Sequence, residues 1–485
     1  MTEPETLLNL IDGEWRPCRA GRSFADTNPA DTRDVVGSLQ DSGPEDVEDA
    51  VAAASRALPG WAATPAPLRG RILLRAARLL EERLDAVADL LSREEGKTLA
   101  EAKGETTRAV RILEYFAGEG ARLGGATLPS ERERVFMFTL RQPVGVVALV
   151  TPWNFPIAIP AWKLAPALVC GNAVVLKPAS QAPMTAVRLA QILQEAGLPE
   201  GVLNVVTGSG SRVGSPLVAH PKVRAISFTG SDQTGRSIAE AAVKRLARVQ
   251  LEMGGKNPTI VLADADLDEA VECVLNAAFY STGQRCTATS RAIVEKPVQG
   301  AFLDKLVARA QALRIGDPRD PQTQMGPAID QAQLETNLRY LEIGKSEGAR
   351  LVWGGERLTD GAHAHGHFVR PAIMAGVAPG SRLAQEEVFG PLLAVIEADG
   401  FDHAVALANE TRFGLSASIC TRSLGRALDY IQRAEAGVLM VNLPSAGIEY
   451  QIPFGGSKDS SHGPREQGPA AMQFYTETKT AYVKF

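Results

Sequence analysis

The sequence lacks any long uninterrupted apolar run. Its longest apolar stretches, such as Val144–Val150, are interrupted by glycine or proline well before the ~20 residues that a membrane-spanning helix needs. The opening segment, MTEPETLLNLIDGEW, has acidic residues where a signal peptide would need basic ones. These absences predict no membrane partner, and we expect a cytoplasmic location.

Cysteine is scarce, and the five cysteines are Cys18, Cys170, Cys273, Cys286 and Cys420. They are scattered, odd in number and contain no CxxC pair, which argues against a disulfide framework or a zinc site and fits a reducing compartment. At most one or two of them should be chemically special. The others are expected to be small buried apolar residues.

A strong excess of charge of either sign is also missing. The 51 basic and 56 acidic side chains leave a formal net charge of −5. Since no broad basic field is available, we expect no nucleic-acid partner. The 485 residues are enough for about three domains, and the 45% apolar content is typical of a soluble globular protein.

The first third of the chain has helical periodicity. Apolar residues recur at helical spacing from about Asp46 to Glu119, and Pro65 and Pro67 interrupt this region, so we predict two or three amphipathic helices. Residues Thr127–Leu140 alternate charged and apolar side chains, which indicates an exposed β-hairpin strand.

After Pro143 the pattern changes to short β-branched runs that end in Gly, Pro, Ser or Thr turns. The predicted strands lie in VGVVALVTPWN, NAVVLKPAS, GVLNVVTG, VRAISFTG and NPTIVLADADL. Helical stretches lie between them, at Ile159–Val169, Thr185–Glu195, Arg212–Ala219 and Thr234–Arg245. This alternation predicts a parallel α/β sheet, and a second α/β series follows from about Ala270 to Val441. The tail FYTETKTAYVKF is a further strand, which needs a partner between domains or between subunits.

Cys286 lies in GQRCTATSR, among polar and small residues rather than a periodic apolar pattern. Such surroundings suit an exposed, positioned nucleophile, and the preceding Arg285 should favour the thiolate. The alternative is an inert structural thiol, and these residues alone favour neither interpretation.

Two further segments carry candidate catalytic groups. In LEMGGKNP, Glu252 comes at the end of a strand-like run and before two glycines, where the backbone can approach a ligand. In TPWNFP, Asn154 offers an amide donor suited to polarising a carbonyl oxygen. A surface glutamate and a turn-forming asparagine are the alternatives.

Three turns offer weak signals for a nucleotide. KPAS, GSGSRVG and FTGS each follow a strand, and main-chain N–H groups at such turns can meet a phosphate, although none is the GxGxxG fingerprint. A ligand at the carboxyl ends of the strands would explain all three, and ordinary structural turns explain each one equally well.

In order and spacing, TPWNFP, KPAS, FTGS, LEMGGKNP, GQRC, EEVFGP and PFGG resemble the motif series of the aldehyde dehydrogenase superfamily, over nearly the whole chain from Ile11–Trp15 onward. The resemblance implies two Rossmann-like parallel-sheet domains and a β-strand oligomerisation arm. It implies a nucleotide-binding domain (1–122 and 143–253), a catalytic domain (254–466) and the arm (123–142 and 467–485). Members are usually dimers or tetramers, so a homo-oligomer is expected.

The resemblance also implies a role for each matched residue. Cys286 would attack the aldehyde, Asn154 and the Cys286 main-chain N–H would hold the oxyanion, and Glu252 would activate water to hydrolyse the thioester. No metal is needed, because the thiol and the oxyanion hole replace a Lewis acid. The cofactor, NADP or NAD, would contact Thr151, Trp153, Lys177, Ser180, Gly210, Gly214, Phe228, Gly230, Ser231, Glu387 and Phe389.

The substrate is indicated by the C-terminal segment Ser457–Gly468, SKDSSHGPREQG, which resembles that of bacterial α-ketoglutaric semialdehyde (2,5-dioxovalerate) dehydrogenases. A carboxylate-bearing aldehyde needs a cation, and the candidates are Arg285, Arg291 and Lys163. Trp162 stands where succinate semialdehyde dehydrogenases usually have arginine, which argues against that substrate and leaves a broad aliphatic or aromatic specificity open. Trp162, Arg285 and Phe454 are the predicted substrate residues.

Two other classes compete with a dehydrogenase. A thiol hydrolase or CoA-acylating enzyme could use the same Cys286, but CoA-acylating relatives generally lack a base at the position of Glu252. A non-catalytic relative should have lost Cys286, Glu252 or Asn154, and all three are present.

Overall fold

The computed structural model describes residues 5–485. Over this range the chain forms fifteen α-helices, numbered α1 to α15: Pro44–Ala63, Ala66–Glu82, Leu84–Glu95, Leu99–Glu119, Ala158–Val169, Met184–Glu195, Ser215–Ala219, Asp232–Val243, Leu267–Phe279, Lys296–Gln311, Gln331–Ser346, Arg382–Gln385, Phe401–Asn409, Leu424–Arg433 and Gly468–Phe474. No helix within this range is long and apolar enough to cross a bilayer.

The same residues form twenty-three β-strands, numbered β1 to β23: Glu5–Thr6, Asn9–Ile11, Glu14–Arg16, Ser23–Thr27, Val35–Gln40, Thr127–Leu128, Val135–Pro143, Val146–Val150, Ala173–Lys177, Leu203–Val205, Val223–Thr229, Arg248–Glu252, Asn257–Val261, Thr289–Glu295, Arg350–Trp353, Ala372–Ala375, Leu392–Ala398, Phe413–Gly414, Ser416–Cys420, Val438–Val441, Ser457–Lys458, Ser461–His462 and Thr476–Lys484. Short strands β1, β5 and β4 form a small sheet near the amino terminus, and β18 pairs with β21.

The first large sheet has the order β22-β12-β11-β8-β9-β10-β2-β3, and its five strands from β12 to β10 are parallel. Its central strands are apolar on both faces, because helices cover both: all five residues of β9 are buried. Two hydrophobic clusters fill the space between the sheet and these helices.

The second large sheet has the order β15-β16-β17-β14-β13-β19-β20 and is parallel except at its edge strand β15. Two further clusters lie on its faces. The prediction of two parallel α/β sheets is therefore confirmed.

A third sheet is built from the segments that fall outside both α/β series. Strand β23 runs antiparallel to β7, from Thr476 opposite Pro143 to Lys484 opposite Val135, and β6 completes the sheet. The strands expected in residues 127–140 and in the tail thus pair with each other. Their expected role in assembly remains a prediction.

The helical region differs from the prediction, since it contains four helices, α1 to α4, rather than two or three. Pro67 lies in the first turn of α2, where proline is tolerated. Helix α3 is capped after Glu95 by Gly96 with φ +91°, and α4 begins at Leu99 after the N-cap Thr98, which forms a capping box with Glu101. In addition, the stretch expected as one helix from Arg212 begins as a π-helical turn, Gly210–Gly214, ahead of α7.

Candidate active site

The first large sheet changes its direction of winding next to β8. From β8 the chain proceeds to β9 and β10 on one side, and β11 and β12 lie on the other. Ligands of open α/β sheets bind in the crevice at the carboxyl ends of the strands at such a point. Two hydroxyl oxygens at these strand ends, Thr151 Oγ1 after β8 and Thr229 Oγ1 on β11, are buried without a hydrogen-bond partner in residues 5–485. Their unmet bonding capacity fits a polar ligand in this crevice.

A cavity of about 350 Å³ adjoins this crevice and contains Cys286. Its walls carry aromatic, acidic and basic side chains: Phe155, Trp162, Phe454, Glu101, Glu105, Arg108 and Arg285. A larger open groove of about 770 Å³ lies beside α9 and α10, but it contains none of the predicted catalytic residues. We therefore place the candidate site at Cys286.

The loop that carries Cys286 is held by groups from distant parts of the chain. Asn257 Nδ2 donates to the Cys286 carbonyl at 2.8 Å and to the Ala288 carbonyl at 2.9 Å, and Ser445 Oγ donates to the Thr287 carbonyl at 2.7 Å. The preceding turn contains Ser281 with φ 51° and Thr282 with φ 55°, and residues other than glycine rarely adopt such positive φ values. The nucleophile is thus presented on a constrained backbone.

Burial raises the pKa of the Cys286 thiol to about 12, and the carboxyls of Glu387 and Glu252 add to the increase. The expectation that Arg285 favours the thiolate of Cys286 is wrong for this structure. The Arg285 guanidinium turns to Glu101 Oε1 at 3.4 Å and to Ser281 Oγ at 3.1 Å, because these groups offer it an anion and an acceptor. The thiol is therefore held in its protonated form at neutral pH.

Asn154 lies in the loop after β8, with its side chain directed at the nucleophile segment. Its Nδ2 donates to the Gln284 carbonyl at 3.0 Å, which leaves one N–H of the amide for another acceptor. Its carbonyl accepts from Lys97 Nζ at 2.7 Å, and Lys97 also pairs with Glu105 Oε2 at 2.6 Å. The Glu105 carboxylate in turn accepts the Ile157 main-chain N–H, so α4 positions the Asn154 loop.

Glu252 is the last residue of β12 and is 2% exposed. Its Oε2 accepts a hydrogen bond of 2.5 Å from Ser461 Oγ, in the C-terminal segment. Burial raises the pKa of its carboxyl well above the usual value, and the nearby Glu466 raises it further, while Ser461 and Lys163 oppose the increase. A carboxylate with a raised pKa accepts a proton more readily than an ordinary glutamate, as a general base must.

Lys177 and Ser180 lie at the carboxyl end of β9. In residues 5–485, the Lys177 ammonium has one hydrogen bond, to the Pro178 carbonyl at 2.9 Å, and burial lowers its pKa to about 8. Ser180 Oγ donates to the Gly208 carbonyl at 2.9 Å. A Cβ at Gly210 would meet nothing within 4 Å, so there is room for a ligand beside this turn, and Gly214 lies against the Lys177 stem. A buried cation without an anion next to open space fits a phosphate or ribose.

Trp153, predicted near the pyrophosphate, contacts Phe389, which is predicted to lie against the nicotinamide. The rings of Trp153 and Phe389 are 5.4 Å apart, and Phe389 has φ 59°, a strained backbone conformation. Glu387 Oε1 accepts the Gly255 N–H at 2.9 Å, and burial raises the pKa of Glu387 to about 7. A Cβ at Gly254 would lie 2.0 Å from this carboxylate, so only glycine permits the approach.

Gly230 and Ser231 form the turn before α8, and Ser231 caps that helix by accepting the Thr234 N–H. Phe228 is a correction to the predicted cofactor contacts. Its side chain is 4% exposed, and a Cβ at Gly230 would meet its ring at 2.5 Å. Phe228 therefore packs in the hydrophobic core against the Gly230 turn, rather than facing the ligand crevice.

Of the three cations proposed for a substrate carboxylate, only Arg285 lines the cavity. The prediction for Lys163 is wrong, because its buried ammonium pairs with Glu466 and donates a hydrogen bond to Ser227 Oγ at 2.8 Å. Arg291 is also wrong, since its guanidinium donates to three buried main-chain carbonyls, those of Lys256, Leu407 and Ala408. Trp162 and Phe454 do lie together in the cavity wall, with ring centres 5.6 Å apart.

Sequence reasoning missed the contribution of α4. Glu101, Glu105 and Arg108 are spaced i, i+4 and i+7, so they share one helix face, and all three line the cavity. This helix also carries a buried stripe that includes Ala102, Ala109 and Leu113. The only sequence signal for a role in the site was that these charged residues lie next to the buried stripe. A helix face exposed to solvent gives the same pattern, so the sequence alone did not identify them.

Comparisons with known proteins agree with this geometry. The profile of the aldehyde dehydrogenase family matches residues 15–481. Over 484 residues the chain is 49% identical to an alpha-ketoglutaric semialdehyde dehydrogenase of Bacillus subtilis, covering 100% of this chain and 99% of that protein. It is 42% identical to a 2,5-dioxopentanoate dehydrogenase of Saccharolobus solfataricus, covering 96% of each.

Solved structures show the same fold. A betaine aldehyde dehydrogenase from Staphylococcus aureus, crystallised in complex with NAD+, superposes with a TM-score of 0.96 at 32% identity, covering 99% of this chain and 94% of that one. The motif series in the sequence and the arrangement of the two sheets therefore both indicate the aldehyde dehydrogenase family.

Proposed function

Because the chain belongs to the aldehyde dehydrogenase family and is an NAD(P)-dependent aldehyde dehydrogenase, we propose that its substrate is 2,5-dioxovalerate, an aldehyde with a distal carboxylate. The reaction consumes the aldehyde, NAD(P)+ and water and yields 2-oxoglutarate, NAD(P)H and two protons. The observation that carries the proposal is the full-length similarity to a bacterial and an archaeal enzyme named for this substrate. The cavity around Cys286 supports it, because its walls include two guanidinium groups, those of Arg108 and Arg285.

In the proposed mechanism, the Cys286 thiol gives up its proton to solvent, Sγ attacks the aldehyde carbon, and the carbonyl oxygen becomes an oxyanion. The second N–H of the Asn154 amide and the Cys286 main-chain N–H hold that oxyanion. Bound NAD(P)+ supplies the two-electron acceptor, and oxidation leaves a thioester on Cys286. Glu252 then takes a proton from water, which attacks the thioester and releases the carboxylate.

The cofactor would be held at the crevice beside β8. Lys177 and Ser180 are assigned to the adenosine ribose, with Gly210 and Gly214 in the adjoining turn. The remaining cofactor residues are assigned to the pyrophosphate and nicotinamide side: Thr151, Trp153, Gly230, Ser231, Glu387 and Phe389. The unpartnered hydroxyl of Thr151 and the anion-free Lys177 support these assignments.

We expect NADP to be accepted at least as well as NAD, because Ser180 places no negative charge beside Lys177. A glutamate at position 180 would repel a 2′-phosphate and accept hydrogen bonds from the ribose hydroxyls. Ser180→Glu should therefore shift the ratio of kcat/KM toward NAD by about tenfold or more. Steady-state absorbance of NAD(P)H measures the ratio, and Ser346→Glu, at the exposed end of α11, is the control for added charge. An unchanged ratio in Ser180→Glu would contradict the assignment.

A homodimer or homotetramer is part of the proposal. Apolar side chains are exposed on the three-stranded sheet and on two helical segments, at Leu128, Phe136, Leu140, Tyr482, Val483, Phe485, Val243, Leu246, Leu424, Leu428 and Ile431. Light scattering should give the mass of two or four chains, and Tyr482→Glu should lower it. A monomeric wild type would overturn this part. We also propose a cytoplasmic location, which the five free cysteines among residues 5–485 support.

The substrate proposal is tested with a panel of aldehydes under saturating cofactor. Wild-type kcat/KM should be highest for 2,5-dioxovalerate, lower for succinate semialdehyde and lower again for pentanal. Succinate semialdehyde remains the second candidate, because the same basic cavity could bind its carboxylate. Equal values for acidic and neutral aldehydes would reject a carboxylate-bearing substrate and indicate a broad aldehyde dehydrogenase.

A further inference from the structure

Arg108 lines the cavity of Cys286 and has no carboxylate within ion-pair distance among residues 5–485. Its Nη1 donates to the Ile448 carbonyl and its Nη2 to Gln467 Oε1 at 3.1 Å. The guanidinium carbon lies 5.6 Å from the centre of the Trp162 ring. Its Nε is buried and has no acceptor within the same residues.

This arrangement costs free energy unless an anion completes it. Burial disfavours the charged guanidinium and lowers its pKa, while Glu105, Cys286 and Glu449 oppose the decrease. Of these groups, Glu105 already pairs with Lys97. Two other buried donors around Arg108, Trp162 Nε1 and Gln467 Nε2, also have no acceptor in residues 5–485. Arg108 and Trp162 line the cavity and Gln467 is bonded to Arg108, so a carboxylate bound in the cavity would supply an acceptor for this group of donors.

The backbone at Gln467 supports the same interpretation. Gln467 has φ 58° and ψ 172°, a backbone conformation that residues other than glycine rarely adopt. The strained residue directs its amide to Arg108 and belongs to the C-terminal segment Ser457–Gly468. The segment that distinguishes this chain in sequence therefore holds the unpaired cation in place.

Arg285, the other cavity cation, differs in its partners. Its charge is already met by Glu101 at 3.4 Å, and its Nε donates to Ser281 Oγ at 3.1 Å. A substrate carboxylate at Arg285 would have to compete with Glu101 and would be repelled by it. Glu105 and Glu449 act on Arg108 only from beyond ion-pair distance, so no carboxylate among residues 5–485 occupies its guanidinium directly.

We propose that Arg108 binds the distal carboxylate of the aldehyde substrate and thereby selects carboxylate-bearing aldehydes. This role rests on the proposed function, since it requires an acidic substrate. The aldehyde carbon is then presented to Cys286 while the carboxylate is held at the α4 wall of the same cavity. Arg108 acts in binding, so its loss should raise KM for acidic aldehydes more than it lowers kcat.

The test measures kcat and KM for 2,5-dioxovalerate, succinate semialdehyde and pentanal. In Arg108→Met, kcat/KM for both acids should fall about 100-fold or more, mostly through KM, while pentanal changes less than about threefold. Arg108→Lys keeps the charge and should recover part of the loss. Arg111→Met removes an exposed arginine from the same helix, bonded only to Glu114 in residues 5–485, and should leave all three values unchanged.

The outcomes separate the two proposals. If the wild type does not prefer the acids to pentanal, the proposed substrate class fails, and the role of Arg108 fails with it. If the wild type prefers the acids and Arg108→Met keeps that preference, only the role of Arg108 is overturned. A charge-selective loss in Arg285→Met instead would also overturn it. Should Arg108→Met not fold, the acid preference of Arg108→Gln relative to Arg108→Lys decides, and equal preferences would reject the proposal.

Discussion

Cys286→Ser should lower kcat by more than about 1000-fold without changing the fold. A hydroxyl is a far weaker nucleophile than a thiol at neutral pH, and the carboxyls of Glu252 and Glu387 nearby oppose ionisation of any group at this position. Serine is close to cysteine in size, and the side chains of Asn257 and Ser445 hold the loop through its main-chain carbonyls rather than through the Cys286 side chain. The melting temperature should therefore stay near that of the wild type.

Steady-state NAD(P)H formation and thermal unfolding together test this expectation. Cys273→Ser is the matched control, because Cys273 is half-buried beside α10, away from the cavity, and its replacement should leave kcat unchanged. Residual activity of Cys286→Ser above about a thousandth of the wild-type kcat would show that the covalent assignment is wrong.

Glu252→Gln should stop the reaction after oxidation, at the thioester. Glutamine keeps the shape of the side chain and an oxygen for the Ser461 hydroxyl, but it cannot take a proton from water. Loss of a general base typically costs about 100- to 10,000-fold in the step that it serves. Rapid mixing should show one burst of NAD(P)H per active site, followed by very slow turnover.

The pH dependence gives this prediction a second readout. The raised pKa of Glu252 means that its carboxyl is protonated, and inactive as a base, at a higher pH than an ordinary glutamate. Wild-type thioester hydrolysis should therefore increase as the pH rises through that pKa, and the hydrolysis rate of Glu252→Gln should not follow it. Glu82→Gln, at the exposed end of α2, is the control. Absence of an acyl-enzyme from the mass spectrum of Glu252→Gln would contradict the base role.

Local patterns were sufficient for the architecture. Strands β8 to β11 and β13 coincide with the predicted β-branched runs, because a strand buried on both faces needs apolar residues at nearly every position. The helices between them followed from the 3.6-residue period. The helices before β6 number four instead of the predicted two or three. Only Arg83 separates α2 from α3, and only three residues separate α3 from α4, and breaks this short hardly disturb the periodicity.

The site was predictable where its residues lie at strand ends. Glu252, Lys177 and Thr151 come at the carboxyl ends of neighbouring parallel strands, so the order of the motifs already implied one common edge. Phe228 is the last residue but one of β11, yet its ring faces the core. Helices cover both faces of this sheet, so an apolar residue near a strand end is expected on either face. The sequence therefore does not show whether the Phe228 ring points to the core or to the ligand crevice.

By itself, the sequence determined the family, the fold class and the set of groups that carry the chemistry, because these depend on local periodicity and on ordered motifs. Only the tertiary structure decided which cations are free to meet a substrate. Lys163 is neutralised by Glu466, and Arg285 by Glu101, partners 303 and 184 residues away along the chain. Arg108 is left without an anion among the described residues. The energy of a charge depends on its partners and on its burial, and both are set by contacts between distant segments.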